Sequence, residues 1–256
     1  MRHHLVLVSH VSAPFITTFL LIHLSAPVLA NVGGSSLSSQ VMLLGREYYQ
    51  TALGEPYLIL GPIAVHALSG IIRRALITYP KLKTSSAAAS AEAGTSSTFL
   101  QRIRTVFPVT TLSVTAYSIL LLLPIHFGIN RILPTTAAPP VLSLGPSELD
   151  YSFVQYGLQR WPIRTWAMYI ILVGTTVTHA VEGARVLMGS FSSKSTSSNS
   201  VFPNSSKLRR KLLAASLALP VLSGLYFLYT EPLYIFPDLA SRLEGVYQLS
   251  WFYRVN

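Results

Sequence analysis

The sequence predicts an all-α, multi-spanning membrane helix bundle of about five transmembrane helices, with the first four as a duplicated two-helix unit. Three observations carry this. Half of the 256 residues are apolar and only 11% are charged, against about 25% charge in soluble domains. Mean hydropathy is +0.48. The apolar residues gather into five runs of the length that a helix needs to cross the hydrocarbon core, about 20 residues.

The first run is Val11 to Ala30. The second is Pro56 to Thr78, opened by a proline that suits a first helical turn. The third is Pro108 to Leu133, the fourth Pro162 to Met188 and the fifth Leu212 to Thr230. A buried helix of a soluble protein would be shorter and more amphipathic. The organisation follows: a short N-terminal segment (1–10), a first two-helix repeat (11–83) and a basic loop (84–107). A second two-helix repeat (108–189), a Ser-rich basic linker (190–211) and a fifth helix with an interfacial C-terminal tail (212–256) complete it. The stretches Thr84–Thr98 and Ser190–Ser206 lack the apolar content to offset ordering entropy and are expected to be flexible. Aromatic and charged residues mix in the tail from Tyr234, which suits the headgroup zone.

Net charge is +10, and it is unevenly placed. With five spans, one face holds thirteen Lys and Arg against Glu92 and Glu182. The other holds six Arg against seven acids. The positive-inside rule therefore puts the basic loops and the N-terminus in the cytosol. The same asymmetry makes the charge a mark of membrane orientation, so nucleic acid is not an expected partner. Membrane lipids are, and the cluster Lys207–Lys211 fits a helix anchor at anionic headgroups. The chain has no Cys, which excludes disulfides, thiolate metal sites and Cys nucleophiles. No Walker loop, HExxH, GxSxG or Rossmann glycine pattern occurs, so no enzyme is expected beyond a role in electron transfer.

The repeat shows in two helices. The second span carries His66-Ala-Leu-Ser-Gly70 with Arg73 following, and the fourth carries His179-Ala-Val-Glu-Gly183 with Arg185 following. The first and third spans each place a histidine after a Leu/Ile run, at His23 and His126. Arg2 ahead of an apolar stretch ending Val28-Leu29-Ala30 also fits a cleaved secretory signal. The repeat argues against this, because it uses that segment as a full member.

Four imidazoles inside spans point to function, since a polar ring in a bilayer needs a partner. Facing histidines ligate haem iron, so His23, His66, His126 and His179 are candidate axial ligands of one or two b haems. A pseudo-twofold pairs His23 with His126 and His66 with His179. Small residues near the rings (Ser69, Gly70, Gly128, Gly183) leave room for a flat macrocycle. Arg73 and Arg185 are placed to meet haem propionates or lipid phosphates. The alternative is that the rings are interhelical polar contacts, worth about 1 kcal/mol each.

The opening span with Ser12-Ala13-Pro14 and His23, the His66-Ala-Leu-Ser-Gly70 helix, the repeat of both and the fifth span resemble the fungal Mcp-type mitochondrial adapter family. The resemblance covers about residues 11–256. It implies a multi-spanning mitochondrial outer-membrane protein that supports lipid homeostasis and membrane contact sites. It also implies an adapter that recruits a bridge-type lipid-transfer protein. In the family that recruitment rests on a Pro-x-Pro motif in an N-terminal extension, and no two prolines here stand two apart. The histidine-bearing four-helix part is also similar to the cytochrome b anchors of succinate dehydrogenase and fumarate reductase.

Overall fold

The computed structural model describes residues 2–91, 110–191 and 207–254. These residues are helical with connecting turns, and no strand occurs among them. Five helices are long and apolar enough to cross a membrane. The helices are α1 (Arg2–Tyr49), α2 (Gly61–Ala91), α3 (Thr111–Phe127) and α4 (Tyr151–Arg160). They continue with α5 (Pro162–Phe191), α6 (Lys207–Thr230), α7 (Pro237–Leu249) and α8 (Trp251–Arg254). Wide π-helical turns precede α2 (Gly54–Leu60) and follow α3 (Gly128–Ile132). Proline lies inside α2, α3 and α6, which membrane helices tolerate because neighbouring groups take up the freed backbone.

Two bounds differ from the sequence expectation for physical reasons. Residues 84–91 of the first low-complexity stretch continue α2, because Ala is the best helix former. The rest of that stretch, 92–98, lies outside the described residues, as does 192–206 of the second. The first span extends into a 48-residue α1, broken only at Gly33 and Gly34. At 1.5 Å per residue the two parts sum to about 72 Å, and the part before the break alone, about 47 Å, exceeds the hydrocarbon thickness.

The chain falls into two compact units, Met1–Phe19 with Tyr49–Val114, and Leu20–Tyr48 with Thr115–Asn256. In the first, Phe19 packs edge-on against Tyr49 at 5.2 Å between centroids. Val65, Leu68, Ile71 and Ile72 of α2 are exposed, an apolar face suited to lipid.

The second unit holds the larger core. Val173 and Val177 of α5 pack with Ala214, Ala218 and Val221 of α6. Against this pair lies α1 ahead of its break, through Leu24 and Val28. A methyl built on Gly224 would land on the Pro27 carbonyl oxygen, so α6 and α1 meet backbone to backbone, as small residues allow in membranes. Asn31 Nδ2 donates to the Pro220 carbonyl at 2.8 Å across the same contact.

At the other end of α5 and α6 sits a folded cap. It is built from α1 beyond Gly34, the segment 133–161 and the tail from Glu231. Gly34 has φ +59°, a left-handed conformation suited to glycine. The helix restarts at Ser35, whose N–H donates to the Glu231 carboxylate at 3.0 Å. Glu231 thus serves as N-cap for the second half of α1, and its carbonyl accepts Gln155 Nε2 at 2.7 Å. Asp150 caps α4 by accepting the Ser152 N–H at 2.8 Å. The tail folds back into the core: Leu243, Val246, Tyr247 and Tyr253 are buried, while Tyr234, Phe236 and Trp251 stay exposed.

The cap also uses the arginines of the near-neutral face. Arg46 donates to the Pro146 and Leu149 carbonyls at 2.8 and 2.7 Å. Arg164 donates to the Tyr253 carbonyl at 2.8 Å. Arg160 pairs with Glu244 at 3.3 Å and Arg242 with Glu148 at 2.6 Å. The Gly145 N–H and then the Arg242 guanidinium hold the Glu148 carboxyl below its usual range. A depressed folded value stabilises the native state above the ordinary carboxylate pKa of about 4.3, and that contribution is lost as pH falls through the folded value. Between pH 6 and pH 3 the melting temperature of Glu148→Gln is therefore expected to fall less than that of the wild type. Parallel acid profiles for the two would remove Glu148 from the acid sensitivity.

Candidate functional site

Each unit repeats one arrangement of hydroxyl and imidazole. In the first, Ser12 Oγ on α1 lies 3.2 Å from His66 Nδ1 on α2. In the second, Thr115 Oγ1 on α3 lies 3.2 Å from His179 Nδ1 on α5. Ser12 stands eleven residues before His23, and Thr115 eleven before His126. The correspondence between the halves thus extends to a third position, which the histidine pattern alone did not use. A hydroxyl at a fixed offset from each helical histidine was the signal available.

The partners of His66 gather at one ring nitrogen. Its Nδ1 is 3.2 Å from the Ser9 carbonyl oxygen, which only accepts. Ser12 Oγ donates to that carbonyl at 2.9 Å, and Ser9 Oγ stands 3.3 Å from the same Nδ1, so α1 engages the ring through Nδ1. A metal-ligating histidine is normally held in this way through its other nitrogen. Ser69 Oγ donates to the His66 carbonyl at 2.9 Å and is buried.

His23 and His126, paired by the sequence repeat, come together in the second unit. Their ring centroids are 6.0 Å apart, with planes at 78°. A metal-bound imidazole nitrogen stands about 2 Å from its metal, so two rings on opposite sides of one metal stand about 6 Å apart between centroids. A bis-imidazole haem would use residues of this kind and spacing, which are also those of an ordinary edge-to-face ring contact. Among the described residues no three His, Asp or Glu gather into a metal cage.

The π-helical turn after α3 shapes this site. It carries Asn130, whose Nδ2 donates to the His126 carbonyl at 2.8 Å and lies 3.3 Å from its Nδ1. Tyr169 of α5 packs edge-on against His126 at 6.0 Å. Neither Asn130 nor Tyr169 was singled out by sequence. A π-turn has no simple sequence signature, yet such turns favour functional sites.

His66 and His179 belong to different units, and each is engaged by a hydroxyl of its own unit. A side chain added at Gly70, Gly128 or Gly183 would meet no described atom within 4 Å. Gly70 and Gly183 stand four residues after His66 and His179, so the helix faces beside these two rings are open to a flat ligand or an acyl chain. Arg73 is exposed. Arg185 pairs with Glu182 at 3.5 Å, a partner one turn before it on α5.

Residues 121–227 match the family model of the MDM10-complementing protein 1 transmembrane domain. No curated protein and no solved structure matches the chain. The matched segment runs from the turn of α3 before His126, through α4 and α5, to Phe227 on α6. It contains His126, Asn130, Tyr169 and His179, the second half of the histidine pattern. Over these residues the chain is similar to the MDM10-complementing protein 1 transmembrane domain.

Proposed function

We propose that this membrane protein resides in the mitochondrial outer membrane. There it supports mitochondrial lipid homeostasis and membrane contact sites, as an adapter for a bridge-type lipid-transfer protein. The family match over 121–227 is the observation that carries this, and the five apolar helices agree with a multi-pass anchor. The basic loops face the cytosol in this reading. A fluorescent fusion of the full chain in yeast is expected to outline mitochondria, and its expression to improve growth of cells lacking Mdm10. Residence in the endoplasmic reticulum or plasma membrane, with no rescue, would sink the proposal.

The spacing of His23 and His126 favours a second role on the same scaffold, b-type haem binding for quinone-linked electron transfer. His23 and His126 would hold the iron, with Asn130 fixing the His126 ring. The group would supply one-electron chemistry. His66 with Arg73 in the first unit, and His179 with Arg185 in the second, would be separate further haem contacts in this reading. Protein purified with haem supplied during expression is expected to show Soret and alpha bands in a reduced-minus-oxidised spectrum. His126→Ala should lose the bands of its site. A wild-type spectrum without bands would rule the haem out.

A further inference from the structure

The ends of α5 and α6 away from the cap converge on a second charged site. Glu182, near the end of α5, accepts from Arg210 Nε at 2.8 Å and from Arg185 Nε at 3.5 Å. The Arg210 and Glu182 side chains are each only 17% exposed, so this guanidinium is fixed in place. Around it stand Lys207, Arg209 and Lys211, all exposed. At about 100° per residue, Arg210, Lys207 and Lys211 share an arc of about 100° on α6. Arg209 lies on the far side of the helix. Arg185, Lys207, Arg210 and Lys211 thus stand against one acid, and α6 has no acidic residue in its first turn.

The same turns carry exposed apolar side chains. Leu208, Leu212 and Leu213 are 64%, 59% and 51% exposed, and Val186 and Met188 beside Arg185 are exposed too. Cations alternate with leucines on a helix that goes on into an apolar span. An aqueous protein partner or a nucleic acid would meet the cations and leave the leucines in water. A phospholipid meets both, its phosphate on the arginine and lysines and its chains on the leucines and Val186.

We propose that Arg185, Lys207, Arg210 and Lys211 form a binding site for the headgroup of one anionic phospholipid, with Arg210 held by Glu182 as its rigid centre. Because Arg210 is pre-positioned, the site is selective and saturable. A loose basic anchor would attract the anionic leaflet at large. The site requires neither haem nor any adapter role.

Native mass spectrometry of the full chain tests this, in detergent micelles doped with phosphatidylserine or with phosphatidylcholine. The wild type is expected to retain one phosphatidylserine and to release phosphatidylcholine. Each cation near an anionic group contributes roughly fivefold in affinity, so Lys207→Ala with Lys211→Ala should weaken retention about 30-fold. Both lysines are exposed, so the variant should keep the wild-type fold, as far-UV circular dichroism checks. Arg160→Ala, a cation lost at the cap end, should leave retention unchanged. Equal retention of the two lipids, an unaffected double variant, or an equal loss in Arg160→Ala would each overturn the site. Displacement of the lipid by millimolar inorganic phosphate would make it a free-phosphate site and overturn the lipid assignment.

Discussion

Tyr247→Ala is expected to cost about 3–5 kcal/mol, the range for truncating a fully buried aromatic side chain. Tyr247 is 1% exposed. Its ring stacks on Phe153 at 4.7 Å and contacts Trp161 and Tyr253 at 5.2 and 4.8 Å. Its hydroxyl donates to the Phe153 carbonyl at 3.0 Å. Burial pushes the phenol above its usual range, so the proton of that bond stays in place at alkaline pH. The ring also fits its partner helix closely, since a methyl on Gly157 would strike the Tyr247 hydroxyl. The loss should fall on the cap. Protease cleavage within 133–161 and a change in Trp161 fluorescence should accompany it, with helix content largely kept. Tyr247→Phe keeps the stack and loses one hydrogen bond, about 1 kcal/mol. Equal stability of Tyr247→Ala and wild type would contradict the cap as described.

Gly224→Leu is the second large effect. The added carbon would meet the Pro27 carbonyl, a backbone atom that cannot turn aside as a flexible side chain can. Overpacking of this kind costs about 1–3 kcal/mol and sometimes more. Parting the helices also breaks the Asn31 bond to Pro220, leaving the amide only its bond to the Val28 carbonyl of its own helix. Unfolding in mixed detergent and SDS is expected to begin at clearly lower SDS fraction than for the wild type. Ser223→Leu is the control, because that neighbour is exposed. If both variants unfold together with the wild type, α1 and α6 do not touch at Gly224.

The spans were legible because a bilayer demands long apolar runs, and composition reports those directly. The extent of α1 was not. Residues 31–40 hold Gly33, Gly34 and four serines, poor helix formers that read as a connection. They are helical because Glu231 and the cap hold them. The partition of the tail was hidden for a similar reason: Tyr247 and Tyr253 look like headgroup aromatics until Phe153 and Trp161 supply a surface for them. At the candidate site the repeat pointed to His23 and His126 as a pair. Thr115, Asn130 and Tyr169 were not singled out, and Ser12 entered only through the family resemblance, because a hydroxyl or amide in a span becomes informative only when its neighbour is known.

The carboxylate that restarts α1 also sets an order of events. Glu231 lies 196 residues after Ser35, the residue it caps. During synthesis the second half of α1 emerges early and waits without its cap while the later helices are made. The loop of chain closed by this one contact is most of the protein, and contacts of such separation form late. The cap is therefore the last part of the fold to be completed, and a ribosome stalled short of Glu231 would leave an inserted bundle with that end unfinished.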